Sequence, residues 1–306
     1  MADDVIVLGD ATSTPAADDL VDLSAAPAES TSATEASAEV TAPAEAAAPV
    51  APAAEDIPVQ EDNPNKKYAN SGIADIVFLI DVTGSMKPCI DALRDNINKF
   101  IDMLTCTEGN GSPVTDWRAR VVGYRDFIAD GSTSYGWLND NVFTRDVATL
   151  RSQLSALTAK GGGDNPESLL DAMMTVATVG SIDLQATSNE ENSNKWRVPG
   201  SAARIVIVFT DATYHPTMSI PGYEGAGVRD LYNIYNQEHI KPYFFVPADA
   251  SYSILGRFKG AILTQCGEGC DGLLSVTNDQ AQFQKLLEQL AKGVSQSAST
   301  QVRIAL

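Results

Sequence analysis

Asp81-Val82-Thr83-Gly84-Ser85 directly follows an unbroken apolar run, Ile76-Val77-Phe78-Leu79-Ile80. A carboxylate at the end of a buried strand, with hydroxyls two and four residues on, offers the hard oxygen donors that Mg2+ takes in octahedral geometry. Gly84 permits the sharp turn needed to aim the three side chains at one point. One carboxylate and two neutral oxygens leave a cation short of ligands, so the chemistry implied is binding, with a further oxygen supplied by a partner. Two other segments carry suitable donors. Lys160-Gly161-Gly162-Gly163-Asp164-Asn165-Pro166-Glu167 is a glycine loop with two acids, and Phe209-Thr210-Asp211 sets an acid just past a second apolar run. Singly, each has an ordinary reading, as a turn acid or a helix cap. Their occurrence in one chain, in this order, argues for a cation site.

These donors need a scaffold. Residues 74–80, 118–124, 204–210 and 242–246 read as strands, the first as a central parallel one and the second as half-buried because it alternates. Helical patterns lie between them, over 87–104, 146–157, 166–179, 228–238 and 280–294. The first places Ile90, Leu93, Ile97, Phe100, Ile101 and Leu104 on one stripe, with Pro88 in its first turn. The third is expected to begin at Pro166, capped by Asn165 or Asp164. Alternating strands and helices predict an α/β fold, doubly wound, with a mainly parallel sheet and helices on both faces. In such sheets ligands bind at the carboxyl ends of the strands, where all three donor segments fall. Residues 181–201 and 213–227 read as long inserted loops, the second offering Tyr214, His215, Tyr223 and Glu224 to a recognition face. Asp126, after the second strand, reads as outer support for the cation, as a partner of Arg125 or as a turn acid.

Asp81, Thr83 and Ser85 resemble the Asp-x-Ser-x-Ser motif of von Willebrand factor A domains with a metal-ion-dependent adhesion site. Thr replaces the first Ser and keeps the hydroxyl. Asp211 resembles the acid that follows the fourth strand in that family. Where many such domains carry Thr in the middle loop, this chain has Asp164 and Glu167. That run, with Asp171-Ala172-Met173 and with Thr210-Asp211-Ala212 and His215, is similar to the A-like domain of integrin β subunits. The resemblance covers residues 72–294. It implies a Rossmann-like fold that binds Mg2+ or Mn2+. Thr83 and Ser85 would be direct ligands, and Asp81 and Asp211 would act mostly through water. Glu167 would be a ligand too, with Asp164 sharing its cation or serving a second one such as Ca2+. It further implies a non-enzymatic module whose cation is completed by an Asp or Glu carboxylate of a partner protein. With no stalk or signal segment in the sequence, an intracellular or microbial relative is expected rather than an integrin.

Composition sets the bounds. The 306 residues carry a net charge of −19, and residues 1–70 hold fourteen acids against two lysines. That segment, rich in Ala, Ser, Thr and Pro, is expected to be a disordered acidic tail. Residues 71–294 are expected to form the domain, and 295–306 a loosely held C-terminal tail. The acidity excludes nucleic acid, whose binding needs cationic neutralisation of phosphate. No apolar run is long enough to span a bilayer, and the acidic N-terminus is unlike a signal peptide, so a cytoplasmic or otherwise intracellular location is expected. Cys89, Cys106, Cys266 and Cys270 are expected to be free thiols. Cys266 and Cys270 are also spaced for a local disulfide or half a zinc site, with His215 and His239 as the histidines on offer. Asp3-Asp4-Val5-Ile6-Val7-Leu8 resembles a SUMO-interacting motif. The competing functions are a Mg2+-dependent hydrolase or phosphoryl-transfer enzyme, and a structural subunit with a vestigial site. Lys160 precedes its glycines rather than following them, which is the wrong order for a phosphate-binding P-loop.

Overall fold

Strand β1 (Ile73–Asp81) is buried at every residue but its first, because the sheet it centres is covered on both faces. The computed structural model describes residues 72–106, 114–162, 165–180, 192–266, 273 and 277–299. Asp164, Cys270, the 1–70 segment with its SUMO-like run, and the chain beyond Ser299 lie outside the described residues. The sheet has six strands in the order β3-β2-β1-β4-β5-β6. These are β2 (Asp116–Tyr124), β3 (Leu138–Asp140), β4 (Ala203–Phe209), β5 (Ile240–Val246) and β6 (Ile262–Gln265). All neighbours are parallel except β3, which runs antiparallel to β2 at one edge.

The period-2 alternation of the strands sorts their side chains into two cores. Ile76, Phe78, Ile80, Ile205, Ile207 and Phe209 pack under α1 (Lys87–Thr105), α3 (Val147–Ala156) and α7 (Gln280–Ser299). Val77, Leu79, Val206 and Val208 pack under α4 (Leu169–Ala177) and α5 (Val228–Gln237) on the opposite face. Two single-turn helices, α2 (Phe127–Asp130) and α6 (Tyr252–Leu255), follow β2 and β5. The fold is therefore the α/β, doubly wound, mainly parallel arrangement that the alternation of elements predicts. The strand order reverses between β1 and β4, and that switch point opens a crevice at their carboxyl ends.

Several elements depart from expectation. The edge strands β3 and β6 have three and four residues, mostly exposed or half-buried, too few for a periodic signal. Strand β2 is fully buried from Arg118 onward rather than half-buried. Its alternating arginines are enclosed: Arg118 Nε and Nη2 donate to Asp75 Oδ1 and Oδ2 at 2.8 and 2.7 Å. The segment that covers them carries Trp196, whose indole N–H donates to Val176 O at 3.0 Å, and Arg197, whose backbone N donates to Asp75 Oδ2 at 2.8 Å. Part of the expected 181–201 loop is thus core structure at the amino end of the sheet. The last helix continues to Ser299 instead of ending at Val294. Ser295 and Ser297 look like tail residues by type, yet both are buried, and Tyr243 of β5 shares a 2.7 Å hydrogen bond with Ser297 Oγ.

Candidate metal centre

Asp81 ends β1 at the switch point with no solvent exposure. Its Oδ1 accepts from Thr83 N at 2.9 Å and its Oδ2 from Thr210 Oγ1 at 2.7 Å. Thr210 stands just past β4, so this second bond ties the two strands that flank the crevice. Burial drives the Asp81 carboxyl up to about 6; the hydrogen bonds from Thr83 and Thr210 oppose that rise, and nearby Asp211 adds to it. Asp211 is also raised by burial and is opposed by a hydrogen bond from the Ser85 side chain. The chain leaves β1 through a 3-10 turn, Gly84–Met86, whose leading residue Thr83 makes no side-chain capping bond. The Thr83 hydroxyl is instead turned toward Asp81. Both motif hydroxyls therefore stand beside aspartates, with oxygen lone pairs to offer a cation.

The glycine loop forms the facing wall. Lys160 N donates to Val82 O at 2.9 Å and Gly84 N to Gly161 O at 3.3 Å. Arg125 clamps the loop from below, donating Nε to Lys160 O at 2.7 Å and Nη1 to Gly136 O at 3.1 Å. Asp130 accepts from Gly162 N at 3.3 Å. At Gly162, where φ is +70°, a Cβ would stand 2.6 Å from Thr83 Cβ and 2.9 Å from Glu167 Oε1. The absence of a side chain there lets Thr83 and Glu167 approach each other.

Glu167 reaches this wall by a route unlike the one expected. Helix α4 begins at Leu169, with Ser168 as its cap residue, rather than at Pro166 capped by Asn165 or Asp164. The chain at Glu167 is drawn out into a bridge beside the segment after Asp211: Glu167 N donates to Thr213 O at 3.0 Å, and His215 N to Glu167 O at 3.1 Å. Asn165 Oδ1, freed from capping, accepts from Thr213 N at 3.0 Å and from Thr213 Oγ1 at 2.7 Å. Asp171 holds the rest of that loop, accepting from Ser219 N and Ile220 N at 2.6 and 2.8 Å.

The structure thus brings Asp81, Thr83, Ser85, Glu167 and Asp211 to one edge of the sheet, while Asp164 is outside the described residues. Among the described residues no three His, Cys, Asp or Glu side chains form a ligand cluster, so any cation here would rely on hydroxyl oxygens as well as carboxylates. Two observations fit such a group. Asp211 Oδ2 is buried with no hydrogen-bond partner, and the Gly162 cradle would be filled by a Cβ. Asp126 caps α2 through Ala129 N at 2.6 Å and meets His215 Nε2 at 2.5 Å; Arg125 pairs elsewhere. Tyr214 is used structurally, donating to Ser251 O at 2.7 Å. Tyr223 and Glu224 line a separate cleft with Met174, Asn233 and Ile234. Cys89, Cys106 and Cys266 are free thiols. Sequence reasoning assigned no role to Thr210 or Asp130, and read Arg125 only as a partner for Asp126. Only the adjacency of β1, β2 and β4 reveals their part, and no short-range pattern encodes it.

No family model matches the chain. A stretch of 166 residues, 52% of this chain, is 28% identical to the alpha-protein kinase vwkA of Dictyostelium discoideum. The chain spans 22% of the length of that curated relative. No helix among the described residues is long and apolar enough to cross a membrane.

Proposed function

We propose that this chain carries a von Willebrand factor A-type domain that binds a divalent cation, Mg2+ or Mn2+, and uses it to hold a carboxylate of a partner protein. The observation that carries the reading is the buried Asp211 Oδ2, which lacks a hydrogen-bond partner beside Ser85 at the switch point. A buried carboxylate oxygen without a donor costs about 1–3 kcal/mol or more, and a cation in the crevice would relieve that cost. Thr83 and Ser85 would present hydroxyl oxygens while their O–H groups point to Asp81 and Asp211. Glu167 would close the site from the bridge beside Thr213. A bound cation would supply electrophilic pull on a partner's Asp or Glu oxygen, and Thr83 and Ser85, being neutral, would leave much of that pull available. A second cation such as Ca2+ beside Asp164 belongs to the same reading, as does an intracellular setting.

The reading is non-enzymatic. The Dictyostelium relative is named a protein kinase, but its likeness here spans a minor part of that protein. Lys160 also precedes its glycines, the opposite order to a phosphate-cradling loop. The test is Mn2+ titration of the full chain by electron paramagnetic resonance, followed by capture of partners in Mg2+ or chelator. Ser85→Ala and Asp211→Ala are expected to lose cation binding at least tenfold with the fold retained by circular dichroism. Unchanged cation binding in both variants would sink the reading.

A further inference from the structure

Glu167 stands at the crevice just ahead of α4 rather than within it, so the chain around it must be held by other means. Ser168, the cap residue of α4, makes no side-chain capping bond. A Ser in that position ordinarily bonds the first-turn N–H groups of its own helix. Here its Oγ accepts from Phe127 N, in the first turn of α2, at 2.8 Å. On the other side Glu167 pairs with Tyr214 as an isolated parallel bridge, made by Glu167 N to Thr213 O and His215 N to Glu167 O. Residues 167 and 168 are thus gripped between the start of α2 and the segment 213–215. A side-chain bond ties those two grips together, from His215 Nε2 to Asp126 Oδ2 at 2.5 Å. An ionised carboxylate only accepts, so the imidazole donates. Capping α2 engages Asp126 Oδ1, and the second oxygen reaches across to His215 on a different element. Asp126, Glu167 and Ser168 are all buried, and His215 is half-buried. Held in this ring, Glu167 sets its Oε1 2.9 Å from where a Gly162 Cβ would stand.

Resting on the metal-centre reading above, we infer that His215, pinned by Asp126, is a positioning residue: a strut that holds Glu167 at the glycine wall and so sets how tightly the crevice takes a cation. Its imidazole acts through the backbone it anchors, not by touching the cation. Supports of metal ligands outside the coordination shell commonly govern affinity by about 10–100-fold.

Three variants of the full chain test the strut. His215→Ala removes the side-chain bond and leaves the His215 backbone N–H to Glu167 in place. His215→Gln offers an amide donor at about the reach of Nε2, and His215→Asn offers the same donor on a shorter stem. In Mn2+ titrations followed by electron paramagnetic resonance, the Ala and Asn variants are expected to bind about tenfold more weakly, with an altered bound-Mn2+ spectrum. His215→Gln is expected to restore both affinity and spectrum. Unchanged Mn2+ affinity and spectrum in His215→Ala, in a wild type that does bind, would overturn the inference and leave the metal centre standing. So would a His215→Ala variant that melts lower in EDTA yet, once folded, binds Mn2+ as the wild type does, since that is the mark of a purely structural pair. If His215→Ala does not fold, the Gln and Asn variants decide: equal affinities would overturn the strut, and tighter binding by Gln would support it. A wild-type chain that binds no Mn2+ removes the metal centre and this inference together.

Discussion

Replacing Asp81 by Asn should stabilise the cation-free protein while destroying its response to Mg2+. Burial raises the Asp81 carboxyl from 3.8 to about 6. A group raised in this way stabilises the fold fully below its unfolded value, and that stabilisation is lost as pH rises through the folded value. Two pKa units correspond to about 3 kcal/mol, which is what the ionised carboxylate costs the cation-free fold at pH 8. Asn has the same shape and no charge. Its carbonyl can keep the bond from Thr83 N, and its amide would meet Thr210, which must then accept rather than donate. Allowing about 1 kcal/mol for that poorer contact, the net gain is about 2 kcal/mol, or about 4–8 °C in melting temperature for a domain of this size. The assay is calorimetric unfolding of both proteins in EDTA at pH 5 and pH 8, repeated with saturating Mg2+. Other acids titrate alike in both, so the difference between the proteins isolates Asp81. The expected result is a variant that is more stable in EDTA at pH 8, converges on the wild type toward pH 5, and gains nothing from Mg2+. A variant less stable than wild type in EDTA at pH 8 would refute the claim that this buried charge is a burden awaiting a cation.

Three more substitutions separate the crevice from the scaffold. Gly162→Ala should cost about 1–3 kcal/mol, from its positive φ and the 2.6 Å approach to Thr83, and should weaken Mn2+ binding. Gly84→Ala, whose Cβ would find only Gly161 O at 3.9 Å, is the control expected to melt near wild type. Asp75→Asn removes the buried counter-charge of Arg118 at the opposite end of β1 and should cost about 3–5 kcal/mol in urea unfolding. Because Asp75 and Asp81 sit six residues apart on one strand, the folded fraction should bind Mn2+ as the wild type does.

Much of this protein is legible locally. The apolar runs mark β1, β4 and β5 because a strand covered on both faces needs apolar side chains at every position. The 3-4 spacing marks α1, and the run from Asp81 to Ser85 announces itself because its donors lie within one turn of chain. Other features obey no local rule. Arg118 looks half-exposed until Asp75 and the Trp196 segment enclose it, and Arg120 until Asp140 and Phe143 do. Ser295 and Ser297 read as tail until Tyr243 takes one of them into a hydrogen bond. Pro166 reads as a helix start until Thr213 and His215 pull Glu167 out as a bridge and deliver it to the crevice. Thr210 and Tyr124 look like ordinary strand ends until β4 and β2 set them on either side of Asp81. The sequence by itself determined which segments are strands and helices and which short run offers oxygen ligands, since steric preference and periodicity act between near neighbours. The tertiary structure alone decided which distant groups meet at that run and which charges are buried. Those outcomes depend on strand order and on the loss of water, and neither is written in the spacing of adjacent residues.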